Sequence, residues 1–383
     1  MTSRFPRRWW SIAVIVFAAV LLSACGGAAP PTSWSGLTVS GATAYLAATD
    51  HIYALDTNPD TRDLERQLWT YPPTGQNASV TFHSQPVVTA DGVLYAGSDG
   101  ITGRGLIVAL DTTRQGAQVM QFPQADAQAQ TLGSVLGGLA YDGQSVFAGT
   151  SDGHLVALDA ATLNLLWTFT TTQRIWSTPV VTNGVVYATS QDHNLYALSA
   201  DTGEEIWRFK ANAMLAGAPT IDGDTAYVGS IDQKLYAVDL ATGQMKWEYD
   251  ALGWVWDGPA VFDGVLYFGD MKGHVYAIDR DRKPVWSQPM TLEGAIRAQP
   301  LVTESQIFVV TQARKVYAIN RNTQVQEWTF TTQQDGEALL TAPVLANDLL
   351  LVAPIPSGGS PTRLYALDPR SGNLEWQFPI KQQ

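Results

Sequence analysis

The chain is short of the residues on which most enzymes and metal proteins depend. A single cysteine, Cys25, and five histidines are spread over 383 residues. One thiol excludes an internal disulfide and any cysteine-built metal cluster. Charged residues make up only 15% of the chain, while hydrophobic residues reach 45%, so it buries a large core and is not a disordered polymer. Basic residues are the scarcer sign, 23 Lys and Arg against 35 Asp and Glu, for a net charge of −12. A binder of phosphate backbones needs the opposite balance, so neither nucleic acid nor an anionic lipid surface is an expected partner. No helical period is sustained anywhere, and no apolar run is long enough to span a bilayer comfortably as a permanent helix. Glycine-rich phosphate loops, a His-x-x-x-His pair and a Ser-His-Asp order are also missing. These absences leave no expected catalytic residue, metal or cofactor.

The first 24 residues form a separate object. Arg4, Arg7 and Arg8 make a basic start, residues 9–22 are almost wholly apolar, and Leu22-Ser23-Ala24-Cys25 closes the run. This is the layout of an export signal. The four closing residues resemble the lipobox of bacterial lipoproteins, which implies that Cys25 becomes a lipidated first residue. An ordinary secretory signal ending near a cysteine is the alternative. Residues 25–33 then read as the lipidated cysteine and a flexible tether without any pattern to bury, and two or more acyl chains would anchor the protein stably to a membrane. Cleavage would remove three arginines and no acids, leaving 20 basic residues against 35 acidic ones.

From Trp34 onward the chain repeats itself. The pattern Tyr-Ala-Leu-Asp recurs in variant form eight times, beginning at Tyr53, Val108, Val156, Tyr196, Tyr236, Tyr276, Tyr317 and Tyr365. The spacing is close to 40 residues in the middle and longer toward both ends. An aromatic strand follows each core, carrying Trp69, Trp167, Trp207, Trp247, Trp286, Trp328 and Trp376; in the second repeat Met120 stands where the tryptophan belongs. Upstream of most cores a proline (Pro86, Pro179, Pro219, Pro259, Pro300 or Pro343) precedes a short apolar run, as expected where a strand begins. Four short strands per repeat, eight times over, predict an all-β fold: an eight-bladed β-propeller of four-stranded antiparallel blades spanning residues 34–383.

Each recurring residue has an expected packing role. The second core residue is alanine in all eight copies, which suits a place too tight for a larger side chain. The tryptophans are the large partners that lie between blades. Asp99-Gly100, Asp152-Gly153, Asp192-His193 and Asp232-Gln233 are expected in the second hairpin of their repeats, and Thr202-Gly203, Thr242-Gly243 and Ser371-Gly372 in the third. Insertions fall at 57–67, 101–105, 115–134, 331–337 and 354–361, all flanking repeats 1–3 and 8.

The segment Leu235-Tyr236-Ala237-Val238-Asp239-Leu240-Ala241-Thr242-Gly243-Gln244-Met245-Lys246-Trp247 resembles the repeat of the pyrroloquinoline-quinone-like propellers. One branch of that family contains quinone-dependent dehydrogenases; the other contains BamB-like lipoproteins, scaffolds in outer-membrane protein assembly. The dehydrogenase branch implies a much longer chain, an adjacent-cysteine disulfide, calcium ligands and a catalytic aspartate; the disulfide is impossible here, no run matches the metal ligands, and the acids mostly fall in turns at the repeat period. The BamB-like branch implies a non-catalytic, lipid-anchored, extracytoplasmic and monomeric scaffold with an envelope protein partner, in the outer membrane if the host has one and otherwise at the cell surface.

Four histidines, His51, His154, His193 and His274, occupy the same hairpin of different repeats, where they point outward and not toward each other. The axial channel is the place left for a ligand. Counting three residues back from each innermost-strand proline, or its equivalent, gives a candidate rim of Trp34, His83, Trp176, Trp256 and Arg297, with Asp257 in the ring beneath. Such a rim suits a peptide end, a sugar or an aromatic ligand. The plainer expectation is that these side chains plug the hole, and the insertion loops offer the other binding surface.

Overall fold

The structure is a computed structural model that describes residues 36–73, 80–100, 104–124, 131–355 and 363–379. Cys25, Trp34 and the expected signal and tether lie outside the described residues, as do parts of three insertions. Among the described residues 33 strands and two single turns of 3-10 helix form eight antiparallel sheets arranged in a ring, an eight-bladed β-propeller.

The repeat reads directly into the blade. In blade 4 the strands Val180–Thr182, Val185–Thr189, Asn194–Ser199 and Glu205–Lys210 pair in chain order, innermost to outermost. Pro179 immediately precedes the innermost strand, and Pro86, Pro219, Pro259, Pro300 and Pro343 hold the same place in their blades. A residue without an N–H is tolerated there because it sits before the ladder begins. The invariant alanines are nearly solvent-free, none above 3% exposed. Ala197 lies in register between Tyr187 on one side and Trp207 on the other, and the ladder slips by one residue immediately after it. The same bulge follows the core alanine in the other blades with a long outermost strand. It increases the local twist and turns the aromatic ring onto the neighbouring blade.

Two blades depart from the pattern. In blade 2 the strand Val80–Phe82 pairs with the far end of Val93–Gly100, so Asp99-Gly100 extend a strand and do not make the expected hairpin turn. The additional ladder partner is what keeps the backbone extended there. In blade 6 Pro284 interrupts the outermost strand, leaving one isolated bridge to Ile278 and the short strand Met290–Thr291. Trp286 is nonetheless 7% exposed, so packing holds it where the ladder does not.

There is no single central core. Eight apolar layers each join one blade to the next, as in the layer shared by Tyr187, Leu195 and Phe209 of blade 4 with Leu215, Val228 and Tyr236 from blade 5. The layer between blades 8 and 1 combines Leu351, Leu364, Trp376 and Phe378 with Leu37, Leu46 and Leu55. The ring therefore closes by packing, each terminal blade being complete within its own segment. Arg66, from the insertion in blade 1, lies 4.3 Å over the ring of Trp376 and donates to the carbonyls of Asp56 and Asn58. Asn347 Nδ2 adds a 2.8 Å bond to Thr57 Oγ1 across the same seam.

Candidate functional site

The tryptophans act as latches between blades. Trp167 Nε1 donates to the carbonyl of Ala200 at 2.8 Å, and Trp207 donates to Leu240, Trp247 to Arg280 and Trp328 to Pro369 in the same way. Each acceptor lies in the third hairpin of the following blade. A Cβ placed on Gly203 would come within 2.6 Å of the Trp167 ring, and Gly116, Gly243 and Gly372 face Trp69, Trp207 and Trp328 just as closely. Glycine in this turn therefore answers two demands, a positive φ and a flat ring lying on it. Trp286 and Trp376 are packed without an acceptor for their indole N–H among the described residues.

At the axis the structure brings Trp176, Trp256, Asp257 and Arg297 together around a cavity of about 90 Å³, with Ser177, Gly217 and Leu340 between them. That admits only a few water molecules, whereas pockets for larger ligands run to roughly 300–1,000 Å³. The constriction is built into the segments that lead into the innermost strands. A Cβ on Gly217 would stand 2.4 Å from the carbonyl oxygen of Trp256, and one on Gly137 would stand 2.5 Å from that of Ser177. His83 is not among the residues lining the cavity, and Trp34 lies outside the described residues.

The electrostatics of this cavity are unusual for so acidic a chain. Asp257 Oδ1 accepts from the backbone N–H groups of Ala218 at 2.9 Å and Gly258 at 3.0 Å. Burial outweighs those bonds and pushes its carboxyl up to about 6. The Arg297 guanidinium lies 4.4 Å over the Trp256 ring, and its Nε is buried without a hydrogen-bond partner among the described residues. Desolvation lowers its pKa from the ordinary arginine value. Burial likewise pulls His83 down to about 4, against the opposing pull of Asp99, so the ring is neutral at pH 7.

Three of the four hairpin histidines are tied locally. His51 Nδ1 is 2.8 Å from Asp50, His154 is 3.1 Å from Asp152 and His274 is 2.9 Å from Asp270. Asp270 has no exposed surface and also accepts from the Tyr276 hydroxyl at 2.8 Å. Asp192 and Asp232 hold Tyr196 and Tyr236 in the same manner. An acid four residues before a core tyrosine was the sequence signal for two of these clamps, and reading only turn chemistry into it missed them. Among the described residues no group of three or more His, Cys, Asp or Glu side chains gathers within reach of one metal ion.

The outer rim is asymmetric. The outermost strands of blades 1, 2 and 3 (Gln67–Tyr71, Ala117–Phe122 and Leu165–Thr170) contain no charged residue. Those of blades 4 and 5 (Glu205–Lys210 and Met245–Asp250) carry three each. Leu68, Val119, Leu165 and Leu166 are exposed on these uncharged strands, while Ile206 and Met245 are exposed among charges on blades 4 and 5. Edge strands expose unpaired backbone groups, and charges are the usual guard against unwanted pairing. The first three blades lack that guard, as does the two-residue outermost strand Met290–Thr291 of blade 6.

Comparison with known proteins agrees with this architecture. A family model described as outer membrane protein assembly factor BamB matches residues 103–253 and 252–383. The crystal structure of BamB from Moraxella catarrhalis superposes with a TM-score of 0.65 at 18% identity, covering 88% of this chain and 93% of that one. The computationally designed Ika8 protein superposes with a TM-score of 0.67 at 16% identity, covering 88% and 96%. At these identities the structural likeness concerns the fold. No curated protein sequence matches.

Proposed function

The chain belongs to the family described as outer membrane protein assembly factor BamB, and from that premise we propose that it is a non-catalytic scaffold whose partner is a protein of the cell envelope. The observation that carries this reading is the uncharged, leucine-bearing outer edge of blades 1–3. Edge strands of this kind are suited to pairing with an extended segment of another chain, and the exposed leucines add apolar area to the contact. The insertion at 57–67 and the described ends of the one at 115–134 adjoin the same blades. Together they give one arc of the ring uncharged edges and added loop surface for a contact. An export signal over residues 1–24, lipidation of Cys25 and the tether to residue 33 belong to the same proposal, since a lipid anchor would hold this face near membrane-bound partners.

The quinone-dependent dehydrogenase reading fits poorly. The chain has no adjacent cysteines, and the axial cavity of about 90 Å³ is several times too small for a molecule of quinone size. A second reading, reception of a small ligand at the axial rim, draws support from Arg297 with its buried, unbonded Nε.

The deciding experiment is co-purification from membranes. Leu68→Lys together with Leu166→Lys should release the envelope partner, as should deletion of the insertions, while Trp176→Ala and Trp256→Ala should not. Retention of the partner by the edge variants and its loss from the rim variants would overturn the scaffold reading. The ligand reading requires that the two rim variants abolish binding with a nearly unchanged melting temperature. Stoichiometric binding of pyrroloquinoline quinone with reduction of a dye by an alcohol or sugar would defeat both.

A further inference from the structure

The eight blades are close copies, so one copy can reveal what another lacks. In six of them an aromatic on the second strand faces the blade's own tryptophan: Tyr45 and Trp69, Phe147 and Trp167, Tyr187 and Trp207, Tyr227 and Trp247, Tyr267 and Trp286, Phe308 and Trp328, all at 5.7–6.1 Å between ring centroids. Blade 2 keeps the tyrosine and loses its partner. Met120 stands opposite Ala109 where the tryptophan would be. Tyr95 turns to the next blade instead. Its hydroxyl donates to the carbonyl of Ala160 at 2.7 Å, the acceptor equivalent to those the indoles use elsewhere, and its ring stacks on Tyr141 at 6.2 Å.

The gap is only partly filled. The following turn has Leu163 where four of the tryptophans meet glycine; it is fully buried at φ +54° and shares the apolar layer with Met120. Leu163 thus occupies the inner part of the tryptophan's place. The outer part stays open as a cleft of about 580 Å³ lined by Tyr95, Met120, Tyr141, Ala160 and Ala161. The equivalent cleft between blades 5 and 6, with Trp247 in place, measures about 350 Å³.

Charge separates the two clefts further. Between blades 5 and 6, Lys246 pairs with Asp224 at 2.7 Å and Arg280 with Asp222 at 2.6 Å. The cleft between blades 2 and 3 is lined by Asp91 and Asp159 with no lysine or arginine, and neither acid forms an ion pair among the described residues. Asp159 is engaged by Thr162 in its own turn and Asp91 by Thr89.

We propose that the cleft between blades 2 and 3 is a docking slot for an aromatic side chain flanked by a basic residue, presented by a partner protein. The aromatic ring takes the outer part of the vacated tryptophan position against Tyr141 and Met120, as a buried aromatic anchor does at the centre of an interface. The flanking lysine or arginine answers Asp91 and Asp159. The slot lies on the uncharged side of the ring but stands independently of the scaffold reading, because it is argued from the missing tryptophan and the unpaired acids.

The test uses the full chain and capped tripeptides, titrated by calorimetry. Lys-Trp-Lys should bind at least tenfold more tightly than Lys-Ala-Lys and than Glu-Trp-Glu. Tyr141→Ala should weaken Lys-Trp-Lys about tenfold, and Asp91→Asn with Asp159→Asn should remove its advantage over Glu-Trp-Glu. Met120→Trp paired with Leu163→Gly rebuilds the usual latch and should abolish binding; if that pair fails to fold, Tyr141→Ala still decides. Equal affinities for Lys-Trp-Lys and Lys-Ala-Lys, or binding indifferent to Tyr141→Ala, overturn the proposal. Concentration-dependent self-association lost on Trp254→Ala would also overturn it, by placing the exposed Trp254 of a second copy in the slot. A failed peptide titration with the membrane partner still co-purifying would reject the slot and leave the scaffold reading standing.

Discussion

Replacing Asp257 with asparagine should stabilise the propeller at neutral pH and do so less as the solution is acidified. The carboxyl is pushed from an ordinary value of 3.8 up to about 6 by burial at the axis. Because the folded state holds this proton more tightly than the unfolded chain, the wild-type protein loses stability as pH rises from about 4 to about 6. At about 1.4 kcal/mol per tenfold change in acidity, the ionised group costs about 3 kcal/mol above pH 6, an upper bound because the axial cavity admits water. Asparagine keeps an oxygen in place of Oδ1 to accept from Ala218 and Gly258, with nothing to ionise. Thermal or urea unfolding followed from pH 3.5 to pH 8 should show Asp257→Asn unfolding after the wild type by about 1–3 kcal/mol at pH 8. The two curves should converge below pH 4. A difference that is constant with pH, or one that grows toward acid, would refute the reasoning.

His83 supplies the opposite slope. Burial holds it down to about 4, so the unfolded chain binds a proton first and the fold loses stability as pH falls from about 6.5 to 4; His83→Gln should flatten that decline in acid unfolding curves. Two glycines at almost the same φ separate strain from contact. Gly184→Ala (φ +73°, open space around it) should cost about 1 kcal/mol, whereas Gly203→Ala (φ +71°, against the Trp167 ring) should cost about 1–3 kcal/mol more by equilibrium denaturation. Trp207→Phe removes the bond to Leu240 and should cost about 1–3 kcal/mol, a loss that the same change at Trp286, whose indole has no acceptor among the described residues, should not match.

The propeller was legible because its determinants recur. Ala197 and Trp207 mean little once, but eight alanines and seven tryptophans at a period near 40 residues specify blade, bulge and latch. Blade boundaries followed the prolines for the same reason. What escaped was whatever happens once. The continuation of Val93–Gly100 through Asp99-Gly100 depends on Val80–Phe82 lying beside it, which no local turn rule contains. The ring's closure between Arg66 and Trp376 joins residues more than 300 positions apart. Counting from prolines brought Trp176, Trp256, Asp257 and Arg297 to one cavity, yet the size of that cavity is set by backbone approach at Gly137 and Gly217 and not by the residues counted. The charge-free outer edges of blades 1–3 were present in the letters all along. They acquired meaning only when Gln67–Tyr71, Ala117–Phe122 and Leu165–Thr170 proved to be consecutive edges of one ring.

The central claim is that this arc is where the protein meets its partner, and site-specific photocrosslinking in native membranes tests it most directly. A crosslinker placed at Leu68, Val119 or Leu166 should capture a discrete envelope protein, while the same group at Lys246 of blade 5 or Glu327 of blade 7 should capture none. Adducts concentrated at Lys246 and Glu327, or spread evenly around the ring, would contradict the account.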